Sequence, residues 1–189
     1  LNQERTASSP QHRARRVMQN QEMPRDPHVY RWQGPTDKTL LFESRFESGN
    51  LYLAQKVSDQ EYNLLMQNDI NTQGHTQWFY FRVCNTRKGH SVRFNILNYS
   101  KPDSLYNYGM RVSTYSDKKA HNENIGWFKS CTNIDYSANG IRKGVEYYSK
   151  SYYSLTFTHT FEYDSDVVYF AYSVPYTFSD LRDDLNAIE

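Results

Sequence analysis

Cysteine is scarce in this chain: Cys84 and Cys131 are the only two among 189 residues. A secreted disulfide scaffold carries more, so both read as free thiols of a reducing, cytoplasmic compartment, with a single Cys84–Cys131 pairing as the alternative. No apolar run approaches the roughly 18 residues of a membrane span, and no charged-then-apolar leader opens the chain, so no membrane partner is expected. A charge excess is missing too. With 22 basic against 21 acidic residues, no whole-chain field draws nucleic acid or a lipid surface. The phosphate loops G-x-x-x-x-G-K and G-x-G-x-x-G do not occur, nor does the G-x-S-x-G turn that presents a nucleophilic serine. Neither cysteine has local context for an activated thiolate. No catalytic residue is expected here.

What the chain does have is aromatic. Apolar residues make up 38%, yet 16% of the chain is Phe, Trp or Tyr, with 17 tyrosines. Large amphipathic rings suit a half-buried pleated sheet better than a helical bundle. The densest stretch is GHTQWFYFRV at 74–83, which alternates with period two. Trp78, Tyr80, Arg82 and Cys84 take one face; Phe79, Phe81 and Val83 take the other. After a turn at 85–89, Val92, Phe94 and Ile96 alternate again, and the pair reads as a hairpin. Residues 152–161 and 167–172, joined through 162–166, read as a second hairpin. The run 51–57 reads as a strand, while 59–66 fits a short helix or a strand. Short strands with turn signals between them, and no strong helical period, predict an all-β fold, an antiparallel β-sandwich. Ser179 reads as the N-cap of a short C-terminal helix whose acids fall in its first turn. A helix starting in the last ten residues, and a first residue other than Met, lead us to expect a longer parent chain.

Residues 1–38 form a separate segment, rich in Gln, Asn, Arg and Pro, with seven basic against four acidic residues, a net +3. This composition predicts an extended or disordered arm ahead of a sandwich domain at 39–189. Arg13, Arg15 and Arg16 are its candidate contacts for an acidic partner.

Two chemical patterns in the sequence fail on strand geometry. His159-Thr160-Phe161-Glu162 has the H-x-x-E spacing of some zinc sites. On a strand, however, positions three apart face opposite ways, and no later histidine offers a third ligand. No metal site is expected. Aromatic strands with basic ends also stack nucleic-acid bases, but that needs one exposed aromatic face over one buried face, and 78–83 fills both. No nucleic-acid partner is expected. His75, between Gly74 and Thr76, reads as a hydrogen-bonded tie for its turn.

Several blocks resemble one family. Residues 41–51 (LFESRFESGNL), Asp69-Ile70-Asn71-Thr72 followed by 74–81 (GHTQWFYF), Phe94-Asn95-Ile96 with Asn98, and Lys101-Pro102 through Tyr108-Gly109-Met110 are similar, in order, to the N-terminal domain of the cytosolic carboxypeptidases. Tyr152-Tyr153-Ser154-Leu155-Thr156-Phe157, residues 166–172 and Pro175-Tyr176-Thr177 continue the resemblance, which spans about 40–181. It implies a β-sandwich placed before a zinc carboxypeptidase domain that removes C-terminal glutamates from proteins, tubulin above all. The family's zinc ligands, a His-Pro-Gly-Glu-like pair and a later His, belong to that catalytic domain, and no His-Pro-Gly-Glu occurs here. The resemblance therefore implies a non-catalytic accessory domain with no cofactor in this chain and zinc only downstream. Its expected partner is its own catalytic domain, with Pro175, Tyr176, Phe178 and Leu181 at the junction. The alternative is a stand-alone sandwich with a structural or binding role on tubulin, microtubules or cilia.

Overall fold

The computed structural model describes residues 33–72, 74–143 and 150–188. Among these, ten strands form two five-stranded sheets. Sheet I has the order β1 (Leu41–Glu43), β4 (Tyr80–Cys84), β10 (Val168–Ala171), β6 (Val112–Ser116), β7 (Phe128–Ser130). Sheet II runs β2 (Leu51–Ser58), β3 (Glu61–Met66), β5 (Ser91–Tyr99), β9 (Lys150–Thr160), β8 (Thr132–Lys143). Every pairing is antiparallel except β3 with β5, so the fold is an all-β sandwich with one parallel contact.

The core between the sheets is built from rings. From β4 and its lead-in, Phe79, Phe81 and Val83 point inward and are fully buried. They meet Phe94 and Phe157 of sheet II and Phe170 of sheet I, with Phe94 within 6.3 Å of five aromatic rings. Tyr62 is 1% exposed, and its hydroxyl accepts the Leu40 N–H at 2.9 Å, which satisfies the one polar atom such a ring brings inside. Period-two alternation thus grouped Phe79, Phe81 and Val83 on one face and Val92, Phe94 and Ile96 on another, and the structure turns both groups inward.

Neither expected hairpin forms. β4 lies in sheet I and β5 in sheet II; β9 lies in sheet II and β10 in sheet I. Both connections are corners that carry the chain from one sheet to the other, and they are lashed together. Thr86 donates its hydroxyl to the Tyr163 carbonyl at 2.9 Å and accepts the Asp166 N–H at 2.8 Å, while Ser165 donates to the Thr86 carbonyl. Asp166, 3% exposed, extends the knot by accepting from the Ser116 hydroxyl and the N–H groups of Lys118 and Val167. Turn residues mark a change of direction, but they do not say which sheet receives the next strand.

The other departures are local. Residues 59–66 resolve as strand β3 rather than a helix. The strand holding Trp78 and Phe79 is recognised only from Tyr80, because Asn50 stands in for a ladder partner. Its side chain donates to the Trp78 carbonyl and accepts the Tyr80 N–H, both at 2.9 Å. The stretch 105–143, rich in Tyr, Asn and Ser, holds a 3-10 turn (Leu105–Tyr108), β6, helix α1 (Asp117–Glu123), β7 and β8. Helix α2 spans Phe178–Asn186, and its N-cap is Thr177, not Ser179. Thr177 and Asp180 exchange side-chain and backbone bonds in a capping box, which fixes the start two residues early. His75 ties its turn through the backbone, with its N–H on the Thr72 hydroxyl and its carbonyl on Asp69.

Candidate docking face

The two outer faces of the sandwich differ in chemistry. On sheet II the outward side chains form a self-satisfied polar ladder. Asn95 donates to Glu61 and Asn63 at 2.9 and 3.0 Å and accepts the Thr156 hydroxyl at 3.0 Å. That face is polar, and its central residues, Asn95 and Thr156, are covered by their own hydrogen-bonded neighbours.

The outer face of sheet I is a mesh of half-buried rings. The alternation that sends Phe79 and Phe81 inward sends Trp78, Tyr80 and Arg82 outward. Tyr169 comes from the register partner of Arg82 on β10, and Tyr115 from the partner of Tyr169 on β6. Phe46 and Trp127 enter from loops. Ring centroids lie 4.8 Å apart for Phe46–Tyr80, 5.9 Å for Tyr80–Trp127, 5.6 Å for Tyr115–Trp127 and 5.9 Å for Tyr115–Tyr169. The Arg82 guanidinium sits 5.7 Å from the Phe46 ring centre and 5.8 Å from that of Tyr169, and donates to the Tyr169 hydroxyl at 3.1 Å. Burial, reinforced by Tyr169 and Asp180, pushes the Tyr80 hydroxyl up to about 12. The Tyr169 hydrogen bond raises Arg82 further, so this face carries a fixed positive charge.

Helix α2 borders the mesh: Asp180 influences Tyr80, and the Ser179 N–H reaches the Glu47 carboxylate at 3.1 Å. Phe178, Leu181 and Leu185 recur at helical spacing, so they share one side of α2, and Ile188 follows just past its end; exposure runs from 41% for Leu181 to 82% for Ile188. Val174 and Tyr176 on the approach are more than half exposed. Tyr, Trp and Arg mixed with an uncovered apolar stripe is the composition of interface cores rather than of wet surface.

Elsewhere the side chains are chemically quiet. Burial raises both thiols, Cys131 to about 11, so both are protonated at neutral pH. His159 is in the core, edge-on to Phe161 and Phe170 at 5.0 Å each, while Glu162 is at the surface on Lys119. They do not converge, and the described residues hold no group of three or more potential ligands. The donor set needed for zinc does not fit here.

The profile of the cytosolic carboxypeptidase N-terminal domain matches residues 42–173. The chain belongs to the cytosolic carboxypeptidase N-terminal domain family. It is 49% identical over 150 residues to human cytosolic carboxypeptidase 2, covering 79% of this chain and 16% of that protein. Against mouse cytosolic carboxypeptidase 3 the identity is 45% over 152 residues, covering 80% and 15%. The chain thus spans about a sixth of these relatives. Among solved structures, a metallo-carboxypeptidase from Burkholderia cenocepacia superposes with a TM-score of 0.54 at 21% identity, covering 79% of this chain and 33% of that one. One from Pseudomonas aeruginosa gives 0.52 at 19%, covering 77% and 32%. At these identities the likeness concerns the fold alone.

Of the residues singled out from sequence for the cytosolic carboxypeptidase junction, Tyr176, Phe178 and Leu181 are exposed and lie on or beside α2; Pro175 is half-buried. Arg13, Arg15 and Arg16 lie outside the described residues. Sequence reasoning missed Phe46, Tyr115, Trp127 and Tyr169 as members of one surface. Tyr169 was legible by its parity on β10. The other three required the sheet order, which brings β6 and β10 beside β4.

Proposed function

We propose that this chain is the non-catalytic accessory sandwich of a zinc metallocarboxypeptidase, and that the catalytic domain packs on the outer face of sheet I and the apolar stripe of α2. The carrying observation is the contrast between the ring mesh of sheet I and the polar ladder of sheet II. The large share of the relatives' length that lies outside the match supplies an occupant. Pro175, Tyr176, Phe178 and Leu181 form the junction. The sandwich stiffens the catalytic domain and helps shape access to its cleft. Zinc belongs to that second domain, which in this reading removes C-terminal glutamates from cytoplasmic proteins such as tubulin.

The test is a Phe178→Ser, Leu181→Ser variant of the longer polypeptide. Docking predicts faster proteolysis across 172–178 and a lower melting temperature for the catalytic domain. Unchanged proteolysis and melting would remove the proposal.

The +3 arm supports a second reading, in which Arg13, Arg15 and Arg16 engage acidic tubulin surface on microtubules or cilia. Co-sedimentation with microtubules at low salt, with and without residues 1–38, tests it. Binding that needs the arm and weakens with salt supports it; no binding ends it.

A further inference from the structure

Covering the outer face of sheet I creates an electrostatic problem at Arg82, and its solution specifies the partner surface. The side chain is half-buried, and its Nε is buried without a hydrogen-bond partner among the described residues. Among the described residues the guanidinium's hydrogen bond goes to a neutral group, the Tyr169 hydroxyl at 3.1 Å. Glu43 is the residue opposite Arg82 in the β1–β4 register, but its carboxylate is already committed. It accepts the Arg45 Nε at 3.0 Å, an Arg45 terminal nitrogen at 2.8 Å, and the N–H groups of Ser44 and Arg45 at 2.9 and 2.7 Å. Those bonds, the Arg45 side chain first, hold Glu43 down at about 2. Among the described residues no carboxylate makes an ion pair with Arg82.

The guanidinium is only half-buried, so its outer edge remains open to solvent while Nε is already enclosed. A docked domain would close that edge to solvent. An arginine then left with one neutral bond is a buried charge without compensation, which is strongly unfavourable. Arginine cannot escape by losing its proton. The rings of Phe46 and Tyr169 also hold the fork in place, so less freedom is lost when it is engaged.

We infer that the surface covering sheet I carries an aspartate or glutamate that pairs with the Arg82 guanidinium at the centre of the ring mesh. This rests on the docking proposed above. It adds a requirement that docking alone does not make, since a purely apolar cover would exclude the charge instead of meeting it. Arg82 becomes the register-setting contact of the interface, with the rings around it keeping water out.

The experiment uses the longer polypeptide, wild type and as Arg82→Gln and Arg82→Lys variants. Hydrogen exchange of α2 and of residues 78–84 reads docking. Carbodiimide crosslinking of the Arg82→Lys variant, mapped by mass spectrometry, reads the carboxylate. We expect Arg82→Gln to lower α2 protection at least about tenfold and Arg82→Lys to lower it less. We also expect a crosslink from position 82 to an Asp or Glu of the following domain. A wild-type protein with α2 protected, no effect of Arg82→Gln and no such crosslink would refute the pairing while leaving docking intact. A crosslink to Glu43 would refute it as well, by showing an internal partner. Absence of wild-type protection would remove docking and the pairing together. Melting of each variant under the same conditions separates lost docking from a misfolded sandwich, and an Arg82→Gln sandwich that melts as wild type while α2 loses protection supports the pairing.

Discussion

Replacing His159 with leucine should make this sandwich less sensitive to acid. The imidazole is 7% exposed, flanked by the edges of Phe161 and Phe170 and by the Cys131 sulfur at 3.9 Å. Burial lowers its pKa from 6.5 to about 4, so the folded protein holds it neutral while the unfolded chain takes up a proton below 6.5. The folded-state pKa is depressed, so the unfolded state binds more protons between those values and stability falls as pH falls through them. Relative to pH 7, this one group costs about 2 kcal/mol at pH 5, approaching about 3 kcal/mol below pH 4. For a domain of this size about 2 kcal/mol is a fall in melting temperature of roughly 4–8 °C. Thermal melts of wild type and His159→Leu at pH 7 and pH 5 provide the assay. Other titrating groups act in both proteins, so the difference between the two slopes isolates the buried imidazole. Parallel slopes would refute the reasoning.

Three further outcomes follow from the packing. Asp166→Ala strips three hydrogen bonds from a buried carboxylate and should cost about 3 kcal/mol, whereas Asp166→Asn, which can still accept from Lys118 and Val167 and donate to Ser116, should cost under about half of that; chemical denaturation distinguishes them. Phe94→Ala empties the point where rings of both sheets meet and should cost about 4 kcal/mol, read as a lowered denaturation midpoint with an unchanged slope. Thr177→Ala removes the capping box and should weaken α2 by about 1 kcal/mol, seen as faster amide exchange at 178–181 with little change in global melting.

The sequence was most informative where one physical rule acts alone. Side-chain parity depends only on the pleat, so spacing placed Phe79 with Phe81, and Val92 with Phe94, on shared faces; which face is the inside came from the packing. Strand partners depend on where the chain goes after a turn, and both apparent hairpins proved to be corners tied through Thr86 and Asp166. A corner and a hairpin use the same turn residues, so local chemistry could not separate them. The docking face was half visible. Trp78, Tyr80 and Arg82 stood out on one strand, and Phe178 and Leu181 stood out by position. Their joining with Phe46, Tyr115, Trp127 and Tyr169 is a product of sheet order, which one sequence does not encode in any short stretch. The N-cap was misplaced because Ser179 and Thr177 are both good caps, and the reciprocal bond from Asp180 selects Thr177.

The central claim is that sheet I and α2 are covered by a second domain. Its most direct measurement is amide hydrogen exchange at Phe178–Asn186, compared between this 189-residue chain and the longer polypeptide that carries it. The account predicts fast exchange in the short chain, where the apolar stripe of α2 faces solvent, and strong protection in the long one. Equal exchange in both would contradict it.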